Sequence, residues 1–275
     1  MIQDIAPKVM DNTYYDLQPE AGDFILSFQN DKILCQNDSD ALRYPCLSQI
    51  GTEDVTYVYL FAMDKVRYFL ADPRQPVQAA GFGYHGLGIL RKLGPKEAAY
   101  AGMTAYHLNG WYRSHCYCGC CGARTVWSHA ERRIDCPKCG HPSYPQIAPC
   151  IIVAVTDGDR LLLTRYAGGA YRRYALVAGF SEIGESSEQT VHREVLEETG
   201  VHIKNLRFYK SQPWGFSGSL LMGYFAELDG DPTITLQQEE LSEAVWKRRN
   251  EIDFVDDGIS LTGEMIRKFV EEGNP

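Results

Sequence analysis

Long hydrophobic runs are missing from this sequence. Its apolar stretches, such as residues 150–155, are strand-sized, far short of the roughly twenty residues that cross a bilayer as a helix. No helical membrane span is expected. The first twelve residues, MIQDIAPKVMDN, carry neither a basic head nor an apolar core, so the expectation is a cytoplasmic protein without a secretion signal. Positive charge is scarce: 27 Lys and Arg stand against 36 Asp and Glu, a formal charge of −9. That balance disfavours a general nucleic-acid binder, which shows a basic footprint. It leaves room for an anionic substrate if divalent metals bring the positive charge. Internal repeats and low-complexity segments are lacking too.

What is present is enough material for a sizeable core. A chain of 275 residues with 44% hydrophobic side chains accommodates two domains and a small insert. The early part reads as β-rich, with strand-favouring stretches at residues 24–28, 55–61 and 66–70. Ala62-Met63-Asp64-Lys65 joins the last two into a predicted hairpin, and no catalytic constellation is visible there. Gly94 and Pro95 open a predicted helix over residues 96–112. Further on, strands at 151–155 and 160–165 flank a Thr156-Asp157-Gly158-Asp159 turn.

Nine cysteines without a secretion signal point to metal rather than disulfides. Cys35, Cys46 and Cys150 are scattered; the other six crowd one segment. That segment contains Cys118-Gly-Cys-Cys121-Gly122 and Cys136-Pro-Lys-Cys139-Gly140, two knuckles with fourteen residues between Cys121 and Cys136. In each, a glycine lets the backbone turn beneath two thiols. Four sulfurs so arranged suit a closed zinc site with no position left for water, hence a structural ion. Cys116 and Cys120 are surplus and read as free thiols. Arg124, Arg132 and Arg133 read as a solvated rim.

From Gly179 the chain runs G-FSEIG-E-SSEQTVH-REVLEETGV, which is G-x₅-E-x₇-R-E-U-x-E-E-x-G-U with U apolar. Ser186 with Gln189 forms a capping-box start and Gly200 a C-terminal stop, so the middle is predicted helical. Glu194, Glu197 and Glu198 then gather on one side at i, i+3 and i+4. Val191 and Val195 lie on the face expected to pack on a sheet. Massed carboxylates need a compensating cation, and hard oxygen donors select Mg²⁺ or Mn²⁺. Arg193 is placed to brace Glu185. An isolated Glu cluster usually means only a solvated helix face; with Gly179, Glu185, Arg193 and Gly200 in register, a catalytic site is the better reading.

On this box the chain resembles the Nudix hydrolases. The cysteine ribbon, then Tyr144-Pro-Gln-Ile-Ala-Pro149, the box, and Ser211-Gln-Pro-Trp214 resemble more narrowly the NADH pyrophosphatase (NAD diphosphatase) family. The family's downstream signature is S-Q-P-W-P-F-P-x-S; here Gly215 and Ser217 replace two prolines, so a loop with a less restrained backbone is expected. The resemblance implies an α+β protein: a Nudix α/β/α sandwich with a mixed sheet over residues 144–275, a zinc ribbon over 114–143 and a β-rich N-terminal domain with a connecting helix over 1–113. It implies catalytic roles for Glu198, Glu197, Glu194 and Arg193. Implied ligands of Mg²⁺ or Mn²⁺ are the Ala178 carbonyl, Glu194, Glu198 and Glu240, with Glu239 nearly as plausible as Glu240. Cys118, Cys121, Cys136 and Cys139 hold Zn²⁺ in this reading. Tyr144 and Phe180 match aromatics that stack on the dinucleotide, with core packing the ordinary alternative. Gln212, Pro213, Trp214, Gly215, Phe216, Ser217, Gly218, Ser219 and Thr262 match substrate contacts.

The activity so implied is attack of water on one phosphorus of NAD(H), giving nicotinamide mononucleotide and AMP, and removal of NAD caps from RNA 5′ ends. A homodimer is also implied. Two rivals remain: a Nudix diphosphatase preferring ADP-ribose or another nucleoside diphosphate derivative, and a non-catalytic Nudix module that senses a ligand or binds nucleic acid. Retention of every box carboxylate and the acidic charge weigh against the second.

Overall fold

The computed structural model describes residues 1–36, 41–167, 174–236, 241–254 and 256–273. Two compact units emerge. One comprises Ile2–Gln146 with Trp214–Gly218; the other comprises Met1, Ile147–Pro213 and the chain from Ser219 on.

In the first unit, β1 (Met10–Asp11), β2 (Phe24–Leu26), β3 (Phe28–Gln29), β4 (Lys32–Cys35), β5 (Tyr57–Met63), β6 (Val66–Ala71) and β7 (Gly83–Gly86) form two small sheets, ordered β1-β5-β6-β2 and β3-β4-β7. The expected hairpin is β5 and β6, turned by Asp64 at φ 53° and Lys65. The strand expected at 24–28 is split at Ser27, where the chain passes from one sheet to the other. There the Ser27 hydroxyl meets the Tyr84 hydroxyl at 2.9 Å, so the break has its own hydrogen bond. Ile25, Leu34, Tyr59, Phe69 and Val77 pack into the core beneath. Helix α1 (Lys96–Ser114) starts after Pro95 and runs two residues past its expected end. A third sheet follows from β8 (Val126–Trp127), β9 (Ile134–Asp135) and β10 (Pro142–Ser143), within the cysteine segment.

The second unit is built on β11 (Ala148–Asp157), β12 (Arg160–Tyr166), β13 (Val177–Phe180), α2 (Ser187–Thr199), β14 (Ile203–Trp214), β15 (Ser219–Leu228), β16 (Leu241–Arg248) and α3 (Leu261–Glu272). Its sheet runs β14-β15-β11-β12-β16, with β13 also on β11. The sheet is mixed: β15 is parallel to β11, whereas β12 and β13 are antiparallel to it. Alternation along a strand then fills two layers. Ile151, Val153 and Val155 meet Val191 and Val195 of α2. On β15, Tyr224 and Ala226 join that layer, while Gly223 lies under Leu261 and Met265 of α3. One helix on each face gives the expected α/β/α sandwich.

Gln212 shows how α3 is moored. Its amide donates to the Ile259 carbonyl at 2.8 Å and accepts from the Leu261 N–H at 2.7 Å. The side chain is fully buried. Both ends of the Gln212 amide thus serve the entry to α3, a structural task that the sequence reading did not foresee. Gln212→Ala leaves a buried N–H and a buried carbonyl without this partner, which costs about 1–3 kcal/mol. The expected result is a urea midpoint lowered accordingly; an unchanged midpoint would refute the mooring role.

Candidate active site and metal centre

The box folds as its sequence predicts. The Ser186 hydroxyl accepts from the Gln189 N–H at 3.3 Å, and the Gln189 side chain accepts from the Ser186 N–H at 2.8 Å. Gly200 closes α2 at φ 73°. Of the three carboxylates expected together, Glu194 is 9% and Glu198 2% exposed, while Glu197 is open to solvent. Gly179 explains how Glu194 is seated: a Cβ added there would run into the Glu194 carboxyl group. Only a glycine lets that carboxylate lie against β13. Ala178, the expected carbonyl ligand, precedes it in β13 and pairs with Ile152.

Arg193 is the hub. Its Nε and Nη2 donate to the two oxygens of Glu185 at 2.6 and 2.9 Å, and Nη2 also donates to the Phe180 carbonyl at 3.0 Å. Nη1 donates to Glu194 at 2.8 Å and to Glu197 at 2.9 Å. This guanidinium, followed by the Glu182 N–H, holds the Glu185 carboxyl down at about 2, so Glu185 stays ionised through the physiological range. The expected brace is thus present and reaches further than Glu185 alone. Thr190, which the sequence reading passed over, donates to Glu185 at 3.0 Å. Cys150 is a buried thiol whose burial, with Glu194 nearby, pushes it up to about 11.

A divalent cation fits this donor set. Three carboxylates, Glu185, Glu194 and Glu197, converge on one guanidinium in the box, and Glu194 and the nearby Glu198 are nearly buried. Buried carboxylates are retained at such density when a cation compensates them. Glu239 and Glu240 lie outside the described residues.

Phe180 and Tyr144 are 52% and 49% exposed, so neither is a core aromatic. Thr262 sits in the first turn of α3. Ser219 starts β15 and is buried. The expected loop at 211–219 is shorter than its signature: β14 continues to Trp214, and only Gly215 to Gly218 form a turn. Nor is this turn loosened by its missing prolines. A Cβ at Gly215 would collide with the Met103 carbonyl of α1, and the Ser217 N–H, which proline lacks, donates to the Trp214 carbonyl at 3.3 Å. Trp214 meets Phe216 edge-on at 5.0 Å, and the Arg91 guanidinium lies 5.5 Å from the Trp214 ring centre. Pro213 is the last residue before this group. His107 of α1 lies beside Gly218 and hydrogen-bonds the Gln146 carbonyl at 2.8 Å.

In the ribbon, the sulfurs of Cys118, Cys121, Cys136 and Cys139 all lie within 4.8 Å of one another. Cys118 and Cys139 are 3.6 Å apart, Cys121 and Cys136 3.5 Å. A tetrahedron with Zn–S bonds of about 2.3 Å has edges of about 3.8 Å, so the cluster can hold a zinc ion. The N–H groups of Cys120 and Cys139 point at the Cys118 and Cys136 sulfurs and lower both thiols, Cys136 to about 6. Gly122 and Gly140 take φ 70° and 73°, as the knuckles require. The solvated-rim reading holds only for Arg124, which is exposed. Arg132 is instead half-buried against Tyr14 with its guanidinium on the Asn12 and Leu60 carbonyls, and Arg133 pairs with Glu131 and Asp135.

Two measurements check these assignments. Elemental analysis is expected to find one zinc per chain, and Cys136→Ser to destabilise the fold far more than Cys116→Ser, since a tetrathiolate zinc contributes on the order of 10 kcal/mol; equal effects would remove the assignment. Gly215→Ala is expected to lower stability by about 1–3 kcal/mol through overpacking. Gly110→Ala, in α1 with open space at its Cβ position, is expected to raise it by about 1 kcal/mol. The same sign for both would discard the close approach at Gly215.

Comparison with known proteins agrees with this geometry. A family model described as the NUDIX domain matches residues 146–269. The chain is 46% identical to the NAD-capped RNA hydrolase NudC of Pasteurella multocida, covering 73% of this chain and 86% of the relative. It is 42% identical to the NAD-capped RNA hydrolase NudC of Shigella flexneri, covering 68% and 72%. A crystal structure of a NUDIX hydrolase from Nitrosomonas europaea matches the fold with a TM-score of 0.50 at 23% identity, over 57% of this chain and 90% of that one. An identity of 46% across most of the Pasteurella relative leaves no ambiguity of family: the chain belongs to the Nudix hydrolases, within the NADH pyrophosphatase family.

Proposed function

We propose that the protein hydrolyses the diphosphate bond of NAD(H) to nicotinamide mononucleotide and AMP, and cleaves the same bond in NAD-capped RNA. The observation that carries this reading is the seating of Glu194 against Gly179 beside buried Glu198. A helix that served only as scaffold would have no reason to bury these two carboxylates and tie one of them, Glu194, to Arg193. The names of the Pasteurella and Shigella relatives support the substrate.

In the reaction, the water oxygen bonds to one phosphorus, the bridging P–O bond breaks, and each product leaves as a phosphate monoester. Glu194, Glu198 and the Ala178 carbonyl hold Mg²⁺ or Mn²⁺ in this reading, with Glu240 as a further ligand. Such an ion, when bound, offsets charge on the diphosphate and acidifies water. Glu198, with Glu197 beside it, supplies the carboxylate that takes the water proton. Arg193 keeps Glu185 ionised and holds both Glu185 and Glu194 in place. Phe180 and Tyr144 offer exposed rings to the dinucleotide, and Trp214 to Gly218, with Thr262, contribute further contacts. The ribbon ion is Zn²⁺ and structural, and the assembly is a homodimer.

Glu198→Gln is expected to lower kcat by at least about 100-fold with the fold intact, because each ~1.4 kcal/mol of lost transition-state stabilisation is tenfold. Turnover within tenfold of the unaltered protein at saturating Mg²⁺ would overturn the role. Product analysis on NADH, NAD, ADP-ribose and NAD-capped RNA tests the substrate, and a higher kcat/KM for ADP-ribose would overturn that part.

A further inference from the structure

The ribbon holds a cavity of about 400 Å³. Its lining includes Tyr117, Tyr144, His115, His141 and Thr125, with Ile134 nearly inaccessible among them. Tyr117 is 68% exposed, and its ring therefore contributes little to the core of the ribbon. Arg124 pairs with Tyr117 in an isolated antiparallel bridge, which puts the two side chains on one face of the backbone. Arg124 and Lys138 are exposed and make no ion pair among the described residues, unlike Arg133. Positive charge is thus concentrated here in an otherwise acidic chain: residues 113–143 carry five Arg and Lys against two acids. A zinc bound by four thiolates would remove two units of that excess and still leave the segment positive.

A pocket of mixed polar and apolar lining with exposed aromatic rings and cations beside it is the chemistry that receives an unpaired nucleotide: the base stacks and the phosphate meets the cation. A volume of this size matches small-ligand pockets, which begin at about 300 Å³. We infer that this ribbon pocket takes a base of the RNA chain that follows an NAD cap, with Tyr117 as a stacking face and Arg124 as a phosphate contact. The inference rests on the capped-RNA reading above. NADH has no nucleotide beyond the two that flank its diphosphate; a capped RNA has several.

The test is steady-state kinetics of the full chain on NADH and on a short NAD-capped single-stranded oligonucleotide. Tyr117→Ala is expected to raise KM for the oligonucleotide about tenfold, the scale of one stacked base, with kcat and all NADH parameters unchanged. Tyr117→Phe is expected to restore it. Arg124→Ala is expected to flatten the salt dependence of oligonucleotide KM by about one unit of log-log slope. Zinc content of each variant serves as the control for an intact ribbon. If Tyr117→Ala leaves the oligonucleotide KM unchanged, or raises KM for both substrates alike, the pocket assignment is wrong while the capped-RNA reading stands. If the unaltered protein cleaves NADH but no capped oligonucleotide, both fail.

Discussion

The guanidinium of Arg193 is the constraint on which the site depends. Glu185, Glu194 and Glu197 converge on it within 3 Å, and without a central cation they would repel one another. Its five N–H groups form a rigid fork, so one side chain can fix several carboxylates and a backbone carbonyl at once. The bond to the Phe180 carbonyl also couples α2 to the end of β13. The helix that carries the acids and the strand that carries Gly179 and Ala178 are thereby held in one arrangement. Lysine would supply charge without this geometry.

The ribbon follows a comparable logic with a different ion. Its small sheet buries few side chains, so the knuckles must be held by something stronger than packing, and four sulfurs at tetrahedral spacing supply the means. Arg132 ties this element to the body of the first unit through the Asn12 and Leu60 carbonyls. A charged group is then acceptable in a half-buried position, because carbonyls and the Tyr14 ring replace part of the water around it.

Much of this could be read from the sequence, and the limits are physical. The capping box, Gly200 and the carboxylate spacing are local signals, so α2 was predicted to within a residue. The knuckles carry their own geometry and were equally plain. What was missed depends on partners distant in the chain. The significance of Gly215 needs Met103, more than a hundred residues earlier, and a proline-free loop looked merely loose. Gln212 looked like a loop side chain because β14 extends through it to Trp214. Arg132 looked solvated because nothing in the ribbon itself says that Leu60 waits beneath it. Even Gly179, plain as part of a pattern, shows its reason only once Glu194 is seen against it.

The turn at Trp214–Gly218 belongs to the first unit although the chain supplies it from the second. Neither unit is therefore one continuous stretch of chain. A chimaera joined after residue 146, with its front from one relative and its back from another, would bring a turn shaped for one helix onto a different one. The Gly215 contact would survive such a graft only if the new helix kept its backbone at the same depth, since Met103 presents a carbonyl there and no side chain can compensate. Substitutions engineered into this turn would likewise have to be matched by changes in α1, because the backbone of each limits the shape of the other.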